Sequence, residues 1–195
     1  LASGVDSAIG CLAVGALLDR GPLQFLPMNH LGSAAPPRHG LLMIALMRPR
    51  SSSGTVGWSA AEGRPIVRFD LLRDPHDLAA LRSGVREAAV LLDSPPFREI
   101  VAEAYIDDAG TRLETLRDDD VIDAWLRSWP GAYVHAAASC GMGRAVDADG
   151  AVVGHEGLFV CDASVFPQIP WANPHLPTTM LAERLAARWL AATSA

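Results

Sequence analysis

The stretch from residue 54 to residue 95 limits the possible folds more than any other. "GTVGWS" and "GRPIVRFDLL" read as two strands joined by the short polar turn "AAEGRP". So short a connection permits only antiparallel pairing. In the second strand Ile66, Arg68 and Asp70 alternate with Val67, Phe69 and Leu71, the period of a strand with one wet face. "RDPHDLAALRSGVREAAVLLDSP" (73–95) follows at once as a helix: Asp74 can cap it, Pro75 suits its first position and Pro95 closes it. Leu78, Leu81, Val85, Ala89 and Leu92 recur at helical spacing, leaving Arg82 and Arg86 to solvent. Adjacent strands feeding a helix point to an α+β fold, an antiparallel sheet flanked by helices.

Other segments extend this pattern. A helix is expected over about 5–18, and "DRGPLQFLP" reads as a turn and a short extended piece. "GSAAPPRHG" (32–40) is a loop by composition, and "LLMIALMRPR" (41–50) fits a buried strand as well as a helix. "PPFREIVAEA" predicts a short second helix. "RDDDVIDAWLRSWPG" (117–131) predicts another, with acidic residues in the first turn and Pro130-Gly131 as its stop. Helix-start chemistry accounts for that acidic run without a metal. "AYVHA" reads as a strand, and "GLFVCDASVF" (157–166) as a strand buried on both faces. The final helix is expected to begin near Pro177.

The totals exclude several classes of function. A formal net charge of −6 over 195 residues, with no basic run, argues against nucleic acid as a partner. Cys11, Cys140 and Cys161 are odd in number and show no CxxC spacing, which points to buried thiols in a reducing compartment. Neither a signal peptide nor a membrane-spanning stretch is evident, so a cytoplasmic location is expected. The first residue is Leu rather than Met, and the chain is expected to begin inside a longer protein.

Among the six histidines, His39 and His76 suit solvent, and His30 and His155 lie in loops. His135 stands at the end of a short strand, before the small-residue run "AAASCGMG" that lets other backbone approach closely. The set His135, Cys140, His155 and Cys161 matches no compact zinc spacing, and no metal is expected.

"HAAASCGMG" (135–143) followed by "VVGHEGLFVCDASVFPQIPWANPHLPTTMLAERLA" (152–186) resembles the C-terminal signature of the glucose-methanol-choline (GMC) flavoprotein oxidoreductases. "SSSGTVGWS" with "DPHDLAALRSGV" is similar to the same family's entry into its substrate domain. The resemblance implies an unplaced segment at 1–47, a substrate-binding domain at 48–150, and a last strand and C-terminal helix (151–195) returning to an FAD-binding domain. It implies the oxidation of a CH–OH group of a small alcohol, with FAD as cofactor and His135 and Asn173 as the catalytic pair. It also implies flavin contacts at Asp162, Ala163, Pro174, His175 and Thr178; for His175, plain packing or capping is an equal alternative, and for Asp162 the alternative is a carboxylate that caps nearby backbone. The family's usual Pro and Gly-Thr after the histidine are replaced here by Ala136 and Ala138-Ser139. The family's G-x-G-x-x-G dinucleotide motif is missing from the chain. The expectation is therefore a C-terminal part that requires an N-terminal FAD-binding half and binds FAD weakly or not at all alone. The alternative is a catalytically inactive fragment or paralogue of the same fold.

Overall fold

The computed structural model describes residues 23–28, 40–47, 49–50, 54–128, 131 and 135–193. The helix expected over 5–18, most of the loop at 32–40, and residues 132–134 of "AYVHA" lie outside them. The chain divides into two compact units, one of residues 1–51 and 72–130, the other of residues 52–71 and 131–195.

In the first unit, β1 (Leu23–Met28) pairs antiparallel with β2 (Leu41–Leu46), placing Leu23 opposite Leu46 and Phe25 opposite Ile44. The run that suited strand or helix is thus a strand. Helix α1 (Pro75–Leu92) packs on this sheet, and Leu23, Phe25 and Ala88 form a core with Leu42, Ile44, Leu46 and Leu81 around it. Gly84 permits the close approach: a Cβ there would lie 2.9 Å from a Leu23 methyl and 3.0 Å from an Ile44 methyl. Leu26 and Ala45, on the other face of the sheet, are buried as well.

The punctuation of α1 is as its sequence predicts. Asp74 accepts the His76 backbone N–H at 2.8 Å, with Pro75 at the first position. That bond holds the Asp74 carboxyl below its usual value of 3.8. A depressed folded-state pKa gives stability that is complete above the unfolded value and lost as pH falls through the folded one. Asparagine caps as well as aspartate but does not titrate there. Asp74→Asn is therefore expected to leave the melting temperature at pH 7 nearly unchanged and to reduce the difference between melts at pH 7 and pH 3.

Helix α2 (Pro95–Arg98) is a single turn and stops well short of the expected second helix, its cap at Glu99 leading into a turn. Helix α3 (Asp119–Ser128) begins where the acidic run predicts, and Asp118 accepts the Val121 N–H at 2.9 Å. The side chain of Arg82 departs from expectation. It is half-buried, bonds Asp119 at 2.6 Å and Asp123 at 2.8 Å, and so ties α1 to α3. Arg86 also pairs with Asp119. Ile122, 1% exposed, is the buried anchor of α3.

In the second unit, β3 (Thr55–Ser59) and β4 (Arg64–Arg68) form the expected antiparallel hairpin, with Val56 opposite Val67 and Trp58 opposite Pro65. The alternation is present, but the apolar face is not buried: Val56, Trp58 and Val67 are all more than half exposed. The run 157–166 differs too. It makes one bridge, Phe159 with Ala151, then turns into a short 3-10 helix at Ala163–Val165. Its first half pairs with 150–152, through Val160 N to Gly150 O and Val152 N to Leu158 O, both 2.9 Å. Leu158 and Phe159 are about half exposed rather than buried on both faces.

Helix α4 (His175–Thr193) starts two residues before Pro177. Its far half is anchored on the 147–160 segment. The Trp189 indole N–H donates to Asp149 O at 2.8 Å, Arg188 pairs with Asp149, and the Trp189 ring lies 5.2 Å from that of Phe159. Val146, Val165 and Leu185 are fully buried in this unit. Among the described residues, no helix is long and apolar enough to cross a membrane.

Candidate functional site

The small-residue run after His135 works as its composition suggests, by letting another stretch of backbone come close. Ala138 N donates to Ala163 O at 3.1 Å, Cys140 N to Ser164 O at 2.8 Å, and Met142 N to Val165 O at 2.9 Å. Alternate residues of one segment therefore hold three consecutive carbonyls of the other. Gly141 sits in the same crowded place, since a Cβ there would lie 3.1 Å from the Arg144 guanidinium and 3.2 Å from Phe166 O.

The carbonyl side of this ladder is shaped by Asp162. Its Oδ1 accepts the Ser164 N–H at 2.7 Å, and its own carbonyl accepts Val165 N–H at 3.3 Å, closing the 3-10 turn. On the donor side, Ala138 has φ +64°, a left-handed conformation uncommon for a residue with a Cβ. Its carbonyl is approached by the Arg144 guanidinium at 3.4 Å. His135 lies three residues before the first rung, half-buried, with Nε2 screened from solvent.

Asn173, Pro174, His175 and Thr178 lie together at the entrance to α4. Asn173 and His175 are exposed and Pro174 is buried. Both the backbone N–H and the hydroxyl of Thr178 bond to Pro174 O, at 2.8 and 2.6 Å. Since Thr178 makes the first intrahelical bond and Pro177 has no N–H, the N–H groups of His175 and Leu176 have no acceptor within the helix.

Of the residues singled out from the sequence, Ala163 is a rung of the ladder, Asp162 caps the turn that carries it and His135 lies three residues before its first rung, while the other four lie at the start of α4. Both sets belong to the second unit. Sequence reasoning missed the ladder and the left-handed Ala138. The one signal available was Asp162 two residues before Ser164, the spacing of an Asx-type turn. Cys140 and Cys161 are free thiols, the first half-buried and the second exposed. Among the described residues, no group of three or more His, Cys, Asp or Glu side chains could hold a metal ion.

Comparison with known proteins gives a consistent set of similarities. A family model described as GMC oxidoreductase matches residues 49–182. The chain is 34% identical over 175 residues to a 5-(hydroxymethyl)furfural oxidase of Methylovorus sp. (strain MP688), covering 80% of this chain and 32% of that protein. It is 31% identical over 173 residues to an oxygen-dependent choline dehydrogenase of Paraburkholderia xenovorans (strain LB400), covering 85% and 30%. A solved formate oxidase of Aspergillus oryzae RIB40 superposes with a TM-score of 0.73 at 20% identity, over 93% of this chain and 33% of that one, a likeness of fold. The chain spans about a third of the length of the curated relatives it matches.

Proposed function

Because the chain belongs to the GMC oxidoreductase family, we propose that it is the C-terminal part of an FAD-dependent oxidoreductase that oxidises the CH–OH group of an alcohol. The observation that supports this most directly is the ladder joining the loop after His135 to the Asp162–Ala163 turn. It builds one rigid element out of two segments that the family reading assigns to substrate and to cofactor.

The residues present suit FAD. The open end of α4 offers two backbone N–H groups, and a helix N-terminus carries positive dipole, which favours the electron-rich edge of a flavin. Pro174 and Pro177 stiffen that approach, Thr178 locks its own hydroxyl onto Pro174 and so fixes the first turn, and His175 is exposed beside it. The backbone of Asp162 and Ala163 would run along the ribityl side. When bound, FAD supplies the hydride acceptor for the carbon being oxidised.

The chain's own residues then supply orientation, a proton acceptor and charge stabilisation. The imidazole of His135 accepts the hydroxyl proton of the alcohol. The Asn173 amide donates a hydrogen bond to the oxygen as negative charge develops there, without adding a titratable group. Gripping one oxygen from two sides fixes the attached carbon for hydride loss. An N-terminal half with the dinucleotide-binding motif completes the cofactor site.

The test is anaerobic mixing of the full-length, flavin-loaded protein with a panel of alcohols that includes a furan-methanol and choline. Bleaching of the flavin absorbance by at least one of them is expected. A protein that holds flavin and stays yellow with every alcohol would overturn the reading in favour of an inactive paralogue.

A further inference from the structure

The carboxylate of Asp162 has a task that its position in a cofactor-side segment conceals. We infer that Asp162 is a positioning residue: by capping the Ala163–Val165 turn it aims three carbonyls at the loop that carries His135, and so sets where the imidazole stands. The inference deepens the proposed function and rests on it only for its kinetic consequence.

Three observations combine. Asp162 Oδ1 is already engaged, 2.7 Å from the N–H of Ser164, inside its own turn. That bond and the Val165 N–H to Asp162 O bond make the carbonyls of Ala163, Ser164 and Val165 follow one another around a 3-10 turn. Those same three carbonyls take the N–H groups of Ala138, Cys140 and Met142, at 3.1, 2.8 and 2.9 Å. The turn is therefore the template for the loop, and the aspartate is what closes the turn.

The second end of the argument is Ala138. An alanine held at φ +64° costs energy unless its surroundings enforce it, and the surroundings here are the first rung of the ladder and the Arg144 guanidinium on its carbonyl. If the turn opens, the rung weakens and Ala138 is free to leave the left-handed region. The chain direction three residues upstream, at His135, changes with it. A displacement of about 1 Å at a catalytic group can cost on the order of 100-fold in rate. A capping carboxylate with no reach to the substrate can thereby control the chemistry.

Capping and direct charge make opposite predictions for conservative variants. Asparagine and serine cap turns about as well as aspartate, yet carry no charge. In the full-length, flavin-loaded protein, D162N and D162S are expected to keep the parent's slow amide exchange at Ala138, Cys140 and Met142. D162A is expected to keep flavin but to reduce at least about tenfold more slowly. Amide hydrogen exchange provides a readout independent of activity. D162A should accelerate exchange at Ala138, Cys140 and Met142 by about tenfold or more, while amides of α4 stay protected and D162N restores the parent pattern.

Faster exchange at Ala138, Cys140 and Met142 in both D162N and D162S would overturn the inference, since it would assign the residue's effect to its charge. Unchanged exchange at the three loop amides in D162A would overturn it equally. If D162A does not fold, the two capping variants still decide the matter. Failure of the parent reading looks different: the exchange pattern would follow the cap as described, but His135→Ala would leave flavin reduction untouched.

Discussion

His135→Ala in the full-length protein is expected to slow anaerobic flavin reduction by about 10²–10⁴-fold, the usual scale for losing a general base. Stopped-flow absorbance at saturating alcohol measures it. The effect should fall on the limiting reduction rate rather than on the alcohol concentration for half-saturation, because proton acceptance is an interaction of the transition state. The ladder survives the truncation: the imidazole lies three residues outside it, and its rungs are backbone groups that alanine leaves intact. Flavin content and melting temperature should stay close to those of the parent. A variant that reduces at the parent rate would remove His135 from the mechanism.

Leu185→Ala is expected to have the largest effect on stability. Leu185 is fully buried, and its Cδ1 lies 3.4 Å from where a Cβ on Gly150 would be, in the contact between α4 and the 147–160 turn. Removing a buried leucine costs about 2–5 kcal/mol, with the spread set by how far the cavity collapses. Collapse is restricted here. Gly150 is tied on both sides, its carbonyl accepting Val160 N–H at 2.9 Å and its N–H donating to Asp147 O at 3.2 Å, which resists movement of the turn into the space left by the shortened side chain. A fall in melting temperature of roughly 5–15 °C follows for a domain of this size. Denaturant titration gives the free energy itself; a loss below about 1 kcal/mol would mean that α4 is not held by this contact.

What was legible in the sequence depended on whether the deciding interactions were local. Helix α1 announces itself through Asp74, Pro75 and a five-residue apolar stripe, all of them short-range signals. The β3–β4 hairpin follows from its turn residues, and α3 from its acidic start. Non-local partners were not legible. Nothing in the alternation of β4 says whether a surface waits to cover Val67. Nothing at Arg82 says that its carboxylates come from 37 and 41 positions later. The candidate site divides the same way. The types and order of His135, Asn173 and the "CDAS" residues were readable through a family resemblance, whereas the ladder between them is made of main-chain groups that any small residue would supply. An alanine in the left-handed region is unreadable in principle, because its side chain gives no hint of a conformation imposed from outside.

Both two-stranded sheets have a consequence for handling the chain. Among the described residues each is a sheet of only two strands, so each presents two unpaired edges, and the β3–β4 ribbon adds an uncovered apolar face. Unsatisfied strand edges are templates for pairing with copies of themselves. For this polypeptide expressed by itself, concentration will set the practical limit before temperature does. Arginine, detergent or a fused soluble carrier will extend that limit further than cooling.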